Sequence, residues 1–197
     1  MPSRFWLCHG VAAALTVCAV TACGDVSRPT DVTASRAPQA AGVSAARSAQ
    51  QTVNVNILDN CDGPSFNAAI GPGTCIRTGG IKNAQFLSLL AKHHTVESYR
   101  FSPAGFTVHV GQNIAAVNLG GEVHTFTRVA DFGGGVVPPL NDLTGTPTPA
   151  PECLTLPNSG FLPPGATDVE SVGAPGTARF QCCIHPWMRA EVHIGKH

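Results

Sequence analysis

From residue 51 onward the chain is a succession of short stretches in which apolar and polar residues alternate, set between Gly-, Pro- and Asn-rich turns. That pattern points to a β-sandwich or barrel. Thr52-Val53-Asn54-Val55-Asn56-Ile57 has the period of two of a half-buried strand. Residues 96–101, 106–110, 113–118, 123–129, 178–182 and 190–194 read as further strands, with Gly111-Gln112 and Gly120-Gly121 as turns between them. Only residues 81–93 have helical spacing, with Phe86, Leu87 and Leu90 on one face and Lys82, Asn83 and Lys92 kept polar. His93 and His94 fall at the end of that helix, where a cation complements the dipole. Residues 61–80 are turn-rich and read as loop. Residues 131–168 hold eight prolines and six glycines without periodicity. A loop that long inside a compact domain is uncommon, and it reads as an ordered excursion because Cys153 in its middle can be stapled to the body.

The N-terminus is a separate matter. Arg4 precedes an apolar run over residues 11–20, too short to span a bilayer, which takes about 20 residues. It reads as a cleaved export signal. Val20-Thr21-Ala22-Cys23 resembles the lipobox of bacterial lipoproteins, which implies lipidation of Cys23 as the first mature residue. Ordinary cleavage after Ala22 suits the same small residues. Residues 24–50, rich in Ala, Ser, Arg, Thr and Pro and free of aromatics, read as a flexible tether, since they offer little to bury. The organisation expected is therefore a signal over 1–23, a tether over 24–50 and one domain over 51–197, exported to the periplasm or cell surface and held there by lipid. Twelve basic against twelve acidic residues give no sign of nucleic-acid binding.

Five cysteines remain in the domain: Cys61, Cys75, Cys153, Cys182 and Cys183. In an oxidising compartment disulfides are expected, and an odd one needs a reason. The reason lies near the C-terminus, in Cys182-Cys183-Ile184-His185-Pro186-Trp187-Met188, entered from the strand-like 177–181. A thiolate, an imidazole and a thioether within seven residues are three of the four ligands of a blue-copper centre, which takes two His and one Cys in a trigonal plane with a long axial Met. Glu122-Val123-His124-Thr125 offers the second His. Successive strand side chains point to opposite faces, so Cys182 and Cys183 do not both reach one ion easily.

The stretch Phe101-Ser102-Pro103, then Phe106-Thr107-Val108-His109-Val110-Gly111-Gln112, then Val117-Asn118, then His124-Thr125 resembles the cupredoxin family in its order of strand, glycine turn, strand, asparagine and first copper His. Cys182 to Arg189 is similar to the short ligand loop of the family's amicyanin-like members. The resemblance covers residues 96–130 and 176–194 and implies a mainly β, Greek-key β-sandwich with one short helix and the long Pro/Gly-rich loop. It implies His124, Cys182, His185 and Met188 as ligands of a single copper ion, with His185 as the point of electron exit and Pro186 and Trp187 as an apolar docking patch. Selecting Cys182 leaves Cys183 for Cys153, because Cys61 and Cys75 lie close enough in one loop to pair. Such a bridge would pin the long loop over the metal end as a cover. His109 and His193 are assigned no role.

Other chemistries lack their residues. A c-type haem needs C-x-x-C-H, zinc fingers need paired C-x-x-C units, and neither G-x-S-x-G nor H-E-x-x-H occurs. Three functions are therefore in play. The first is a monomeric, non-enzymatic carrier of single electrons between transient redox protein partners. The second is a copper-binding or delivery protein, against which stands the scarcity of Met, with only Met1 and Met188. The third is a metal-free structural domain, for which the ligand residues would have no use.

Overall fold

The computed structural model describes residues 51–196. The expected export signal, the expected lipobox with Cys23 and the expected tether lie outside the described residues.

Among the described residues, eight strands form two four-stranded mixed sheets. They are β1 (Thr52–Leu58), β2 (Arg100–Ser102), β3 (Gly105–His109), β4 (Asn113–Asn118), β5 (Thr127–Val129), β6 (Thr167–Ser171), β7 (Gly176–Gln181) and β8 (Arg189–Gly195). One sheet runs β2-β1-β4-β6 and the other β3-β8-β7-β5. β1 is antiparallel to β2 and parallel to β4, and β8 is parallel to β3 and antiparallel to β7. The molecule is the mainly β sandwich that the alternation implies.

The period of two explains the faces. In β1, Val55 and Ile57 are fully buried while Asn54 and Asn56 are exposed; in β8, Ala190, Val192 and Ile194 point inward. Phe126 joins the sheets: it stacks on Phe180 of β7 at 4.3 Å between centroids and meets Phe101 of β2 edge-on at 5.1 Å. Burying each such ring is worth about 1.5–3 kcal/mol.

Several elements depart from the sequence reading. The strand expected over 96–101 is reduced to β2, because residues 96–99 form a turn in which Tyr99 N–H donates to the Val96 carbonyl at 2.9 Å. The strand expected over 123–129 is reduced to β5. His124 instead pairs with Leu162 through reciprocal backbone bonds of 3.0 and 2.7 Å. The loop expected over 61–80 holds a helix, α1 (Gly63–Ala69), started by an Asp62 side chain that accepts from Ser65 N–H, with proline in the first turn. That is an ordinary helix start.

The expected helix is α2 (Asn83–His93), ended by His94 in the left-handed region at φ 58°. Phe86 and Leu90 are buried along it, but Leu87 remains 39% exposed. The long excursion is ordered rather than loop throughout: it holds α3 (Pro138–Thr144) and α4 (Pro151–Leu154), both begun by prolines, and then β6. β6 escaped notice because it is a polar edge strand with no fully buried residue.

Candidate metal centre

The ligand run is bent into a closed loop by its own backbone. Cys182 N–H donates to the Met188 carbonyl at 3.0 Å, and Met188 N–H donates to the His185 carbonyl at 2.9 Å. Arg189 Nε donates to the Pro186 carbonyl at 2.8 Å. His124 reaches the same place from the turn after β4. Asn118 sets that turn by donating to the Glu122 and Leu162 carbonyls, both at 2.8 Å, and accepting from Gly120 N–H at 2.9 Å.

These constraints bring three donors together. His124 Nδ1 lies 3.7 Å from Cys182 Sγ, His185 Nδ1 lies 3.8 Å from it, and the two nitrogens are 3.2 Å apart. The point equidistant from all three lies in their plane at about 2.1 Å from each, close to the bond of a divalent ion to imidazole nitrogen (about 2.0–2.1 Å) and about 0.2 Å short of its bond to thiolate. The donors therefore fit a trigonal metal ion as they stand. His124 and Cys182 are fully buried, and His185 is 3% exposed. Met188, at 1% exposure, closes the loop.

Cys182 is the one free thiol among the described residues. Cys61 is bonded to Cys75 and Cys153 to Cys183. A second grouping, Asp59, Cys61 and Glu122, is no metal site, since the sulfur of Cys61 is in a disulfide.

The electrostatics favour the metal-binding form of the sulfur. Burial raises the Cys182 pKa, but hydrogen bonds with His124 and His185 and their charges outweigh it, so the thiol is held well below its ordinary value. Thr125 N–H also points at Sγ, at 3.4 Å. Burial likewise opposes charge on His124, yet Asp59 and Cys182 raise its pKa to about 9. Asp59 is held far below the carboxylate range: burial works against ionisation, and the bonds from His124, Gly121 and Glu122 prevail.

Around this centre lies a shell that sequence spacing did not disclose. His124 Nε2 is 2.9 Å from Asp59 Oδ2. Glu122, whose pKa burial pushes up, stands 3.7 Å from His185 Nε2, too far for a hydrogen bond. The His185 ring is enclosed by Tyr99, Trp187 and Phe86, with centroids at 5.2, 5.3 and 6.5 Å. Phe86 comes from α2, while Leu140 of α3 and Phe66 of α1 line a cavity of about 380 Å³ over His185 and Glu122. Nothing in the spacing links position 59 to 124. Glu122, two residues before His124, was open to the alternation argument.

His185, expected as the point of electron exit, is buried, with residues of α1, α2 and α3 over it. Pro186 is buried and offers no docking surface; Trp187 alone of the proposed patch is partly exposed.

Neither a family model nor a curated protein matches the sequence. Solved structures to which the chain is similar include a novel purple cupredoxin from Nitrosopumilus maritimus, at 15% identity over 73% of this chain and 99% of that one, with a TM-score of 0.39. Others are the oxidized form of plastocyanin from Dryopteris crassirhizoma, at 15% identity over 73% and 100% with a TM-score of 0.37, and a Cu(I) mutant of amicyanin, at 16% identity over 49% and 73% with a TM-score of 0.33. The β-sandwich rests on the strand pairing above, and the metal centre on its donor geometry.

Proposed function

We propose that this chain is a type 1 copper protein that carries single electrons between redox proteins outside the cytoplasm. The observation that carries the reading is the buried triangle of two Nδ1 atoms and one thiolate sulfur whose common centre lies about one metal–ligand bond from each. Copper bound there supplies a reversible one-electron couple. Imidazole serves both oxidation states and thiolate favours the reduced one. The donors are fixed by backbone bonds at 182, 185 and 188 and by the pairing of His124 with Leu162, so little has to move when the charge changes. Met188 would add its thioether as a fourth, weaker donor.

The protein's other groups exclude water and define the way out. Tyr99 and Phe86 shut His185 off from solvent, and the partly exposed Trp187 ring, next to His185, is the natural contact for a partner. Such encounters are weak and use small interfaces. The chain would act as a monomer with no catalytic role, tethered through lipidated Cys23 and residues 24–50. Copper delivery is disfavoured by burial: donors at 0 to 3% exposure cannot be handed from one protein to another without opening the fold.

Titration of the purified domain with Cu(II), followed in the visible, tests the reading. An intense thiolate-to-copper band with reversible voltammetry is expected. A colourless product from protein with a free Cys182 thiol would refute it.

A further inference from the structure

Asp59 stands just past the end of β1, far in sequence from the ligand run, and nothing assigned so far gives it a role in the metal centre. Its carboxylate accepts from Cys61 N–H at 3.3 Å, from Gly121 N–H at 2.9 and 2.8 Å, from Glu122 N–H at 2.9 Å, and faces His124 Nε2 at 2.9 Å. The three backbone partners are all donors and together engage both oxygens, as suits an ionised carboxylate. Paired with it, His124 Nε2 carries a hydrogen, and Nδ1 is the nitrogen turned toward Cys182 and His185. The side chain is fully buried. The chain makes room for it with glycine: a Cβ at Gly120 would stand 2.1 Å from Asp59 Oδ2. Arg77 Nη1, two residues beyond the Cys61–Cys75 bridge, donates to the Asp59 carbonyl at 3.1 Å and holds the residue from behind.

We propose that Asp59 is a positioning residue of the metal centre, which locks His124 in the Nε2–H tautomer and sets a buried negative charge one imidazole ring away from the ion. The proposal rests on the copper reading above and extends it to the segment outside the ligand loops. Two consequences follow from ordinary chemistry. A carboxylate behind a ligating imidazole fixes the ring and raises its basicity, and losing such a partner typically lowers metal affinity by about 10- to 100-fold. A negative charge close by opposes the arrival of an electron, since at low effective dielectric such interactions are screened little. Asp59 therefore favours the oxidised ion, and removing its charge raises the reduction potential. Glu122 stands in the same relation to His185 but at 3.7 Å and with no hydrogen bond, so the lock is one-sided.

Two variants separate the lock from the charge. Asp59→Asn, with its oxygen in the place of Oδ2, still accepts from His124, Gly121 and Glu122, while its amide nitrogen in the place of Oδ1 loses the bonds from Cys61 and Gly121 and faces two N–H donors. Asp59→Ala loses both functions. Copper-loaded wild type and variants are compared by voltammetry, by visible absorption and by competition with a chelator, after circular dichroism has shown each to be folded. Asp59→Asn should keep the visible band with a raised potential, and Asp59→Ala should bind Cu(II) 10- to 100-fold more weakly. Independently of any variant, proton NMR of the Cu(I)-loaded wild type should show the His124 Nε2 hydrogen shifted downfield and slow to exchange, as a hydrogen held on a buried carboxylate is. A blue wild type with an unchanged potential in Asp59→Asn and unchanged affinity in Asp59→Ala overturns this inference alone, as does a His124 Nε2 hydrogen that exchanges freely with solvent. A colourless wild type overturns the copper reading and this inference with it.

Discussion

Replacing Cys153 and Cys183 together by Ala should cost stability without disturbing the metal centre. The bridge closes 30 residues, and in the chain-entropy account a crosslink of that span stabilises by about 3.6 kcal/mol at 25 °C through the unfolded chain. The shorter Cys61–Cys75 bridge, with a separation of 14, is worth about 3.0 kcal/mol on the same account. For a domain of this size about 3.6 kcal/mol corresponds to a fall in Tm of about 10 °C. The excursion stays attached in the double variant, because Val136 N–H donates to the Cys183 carbonyl at 2.6 Å and His124 and Leu162 remain paired. The copper band should therefore survive. Urea unfolding of the copper-free protein, with and without the two substitutions, supplies the measurement. An unchanged midpoint would refute the entropic argument; a lost band would show that the bridge, and not the backbone bonds, holds Cys182 in place.

Cys182→Ser should abolish the visible band, since Cys183 is committed to Cys153; a blue product would transfer the ligand role to Cys183. Met188→Leu should keep the colour and raise the reduction potential by voltammetry, because the thioether donation to Cu(II) is lost while the three-donor plane remains. Phe86→Ala removes a ring 3% exposed that contacts Phe66, Tyr99, Trp187 and His185, and should cost about 3–5 kcal/mol by urea unfolding. Trp187→Ala should slow electron transfer to a partner protein in stopped flow and leave the spectrum unchanged; an unaltered rate would place the contact elsewhere.

What could be read from the sequence and what could not divide along the range of the interactions. β1, β3, β7 and β8 were visible because each carries its own alternation, β4 because a glycine turn leads into its apolar run, and Cys182, His185 and Met188 because they share one loop. α1 was legible in principle: Asp62 followed by Pro64 is a capped start, but seven residues among turn formers leave little periodicity to detect. α3 and α4 begin on prolines that count equally toward turns. Asp59, Tyr99 and Phe86 were not legible at all, since their part in the site depends on β1, the 96–99 turn and α2 meeting the ligand loop in space.

That meeting is where this molecule acquires its own character. Two imidazoles, a thiolate and a thioether would specify what ion can bind, but they leave open how far it lies from water and which oxidation state its surroundings favour. Here the answer comes from segments outside the ligand loops: α1, α2 and α3 cover His185, and Asp59, anchored behind by Arg77, supplies a buried charge behind His124. An enclosed ligand and a nearby anion act together, because the anion's field is least screened where water is excluded. Exposing the centre and removing the charge should therefore reinforce each other less than additively, since each exposed path to solvent weakens the field that the carboxylate exerts.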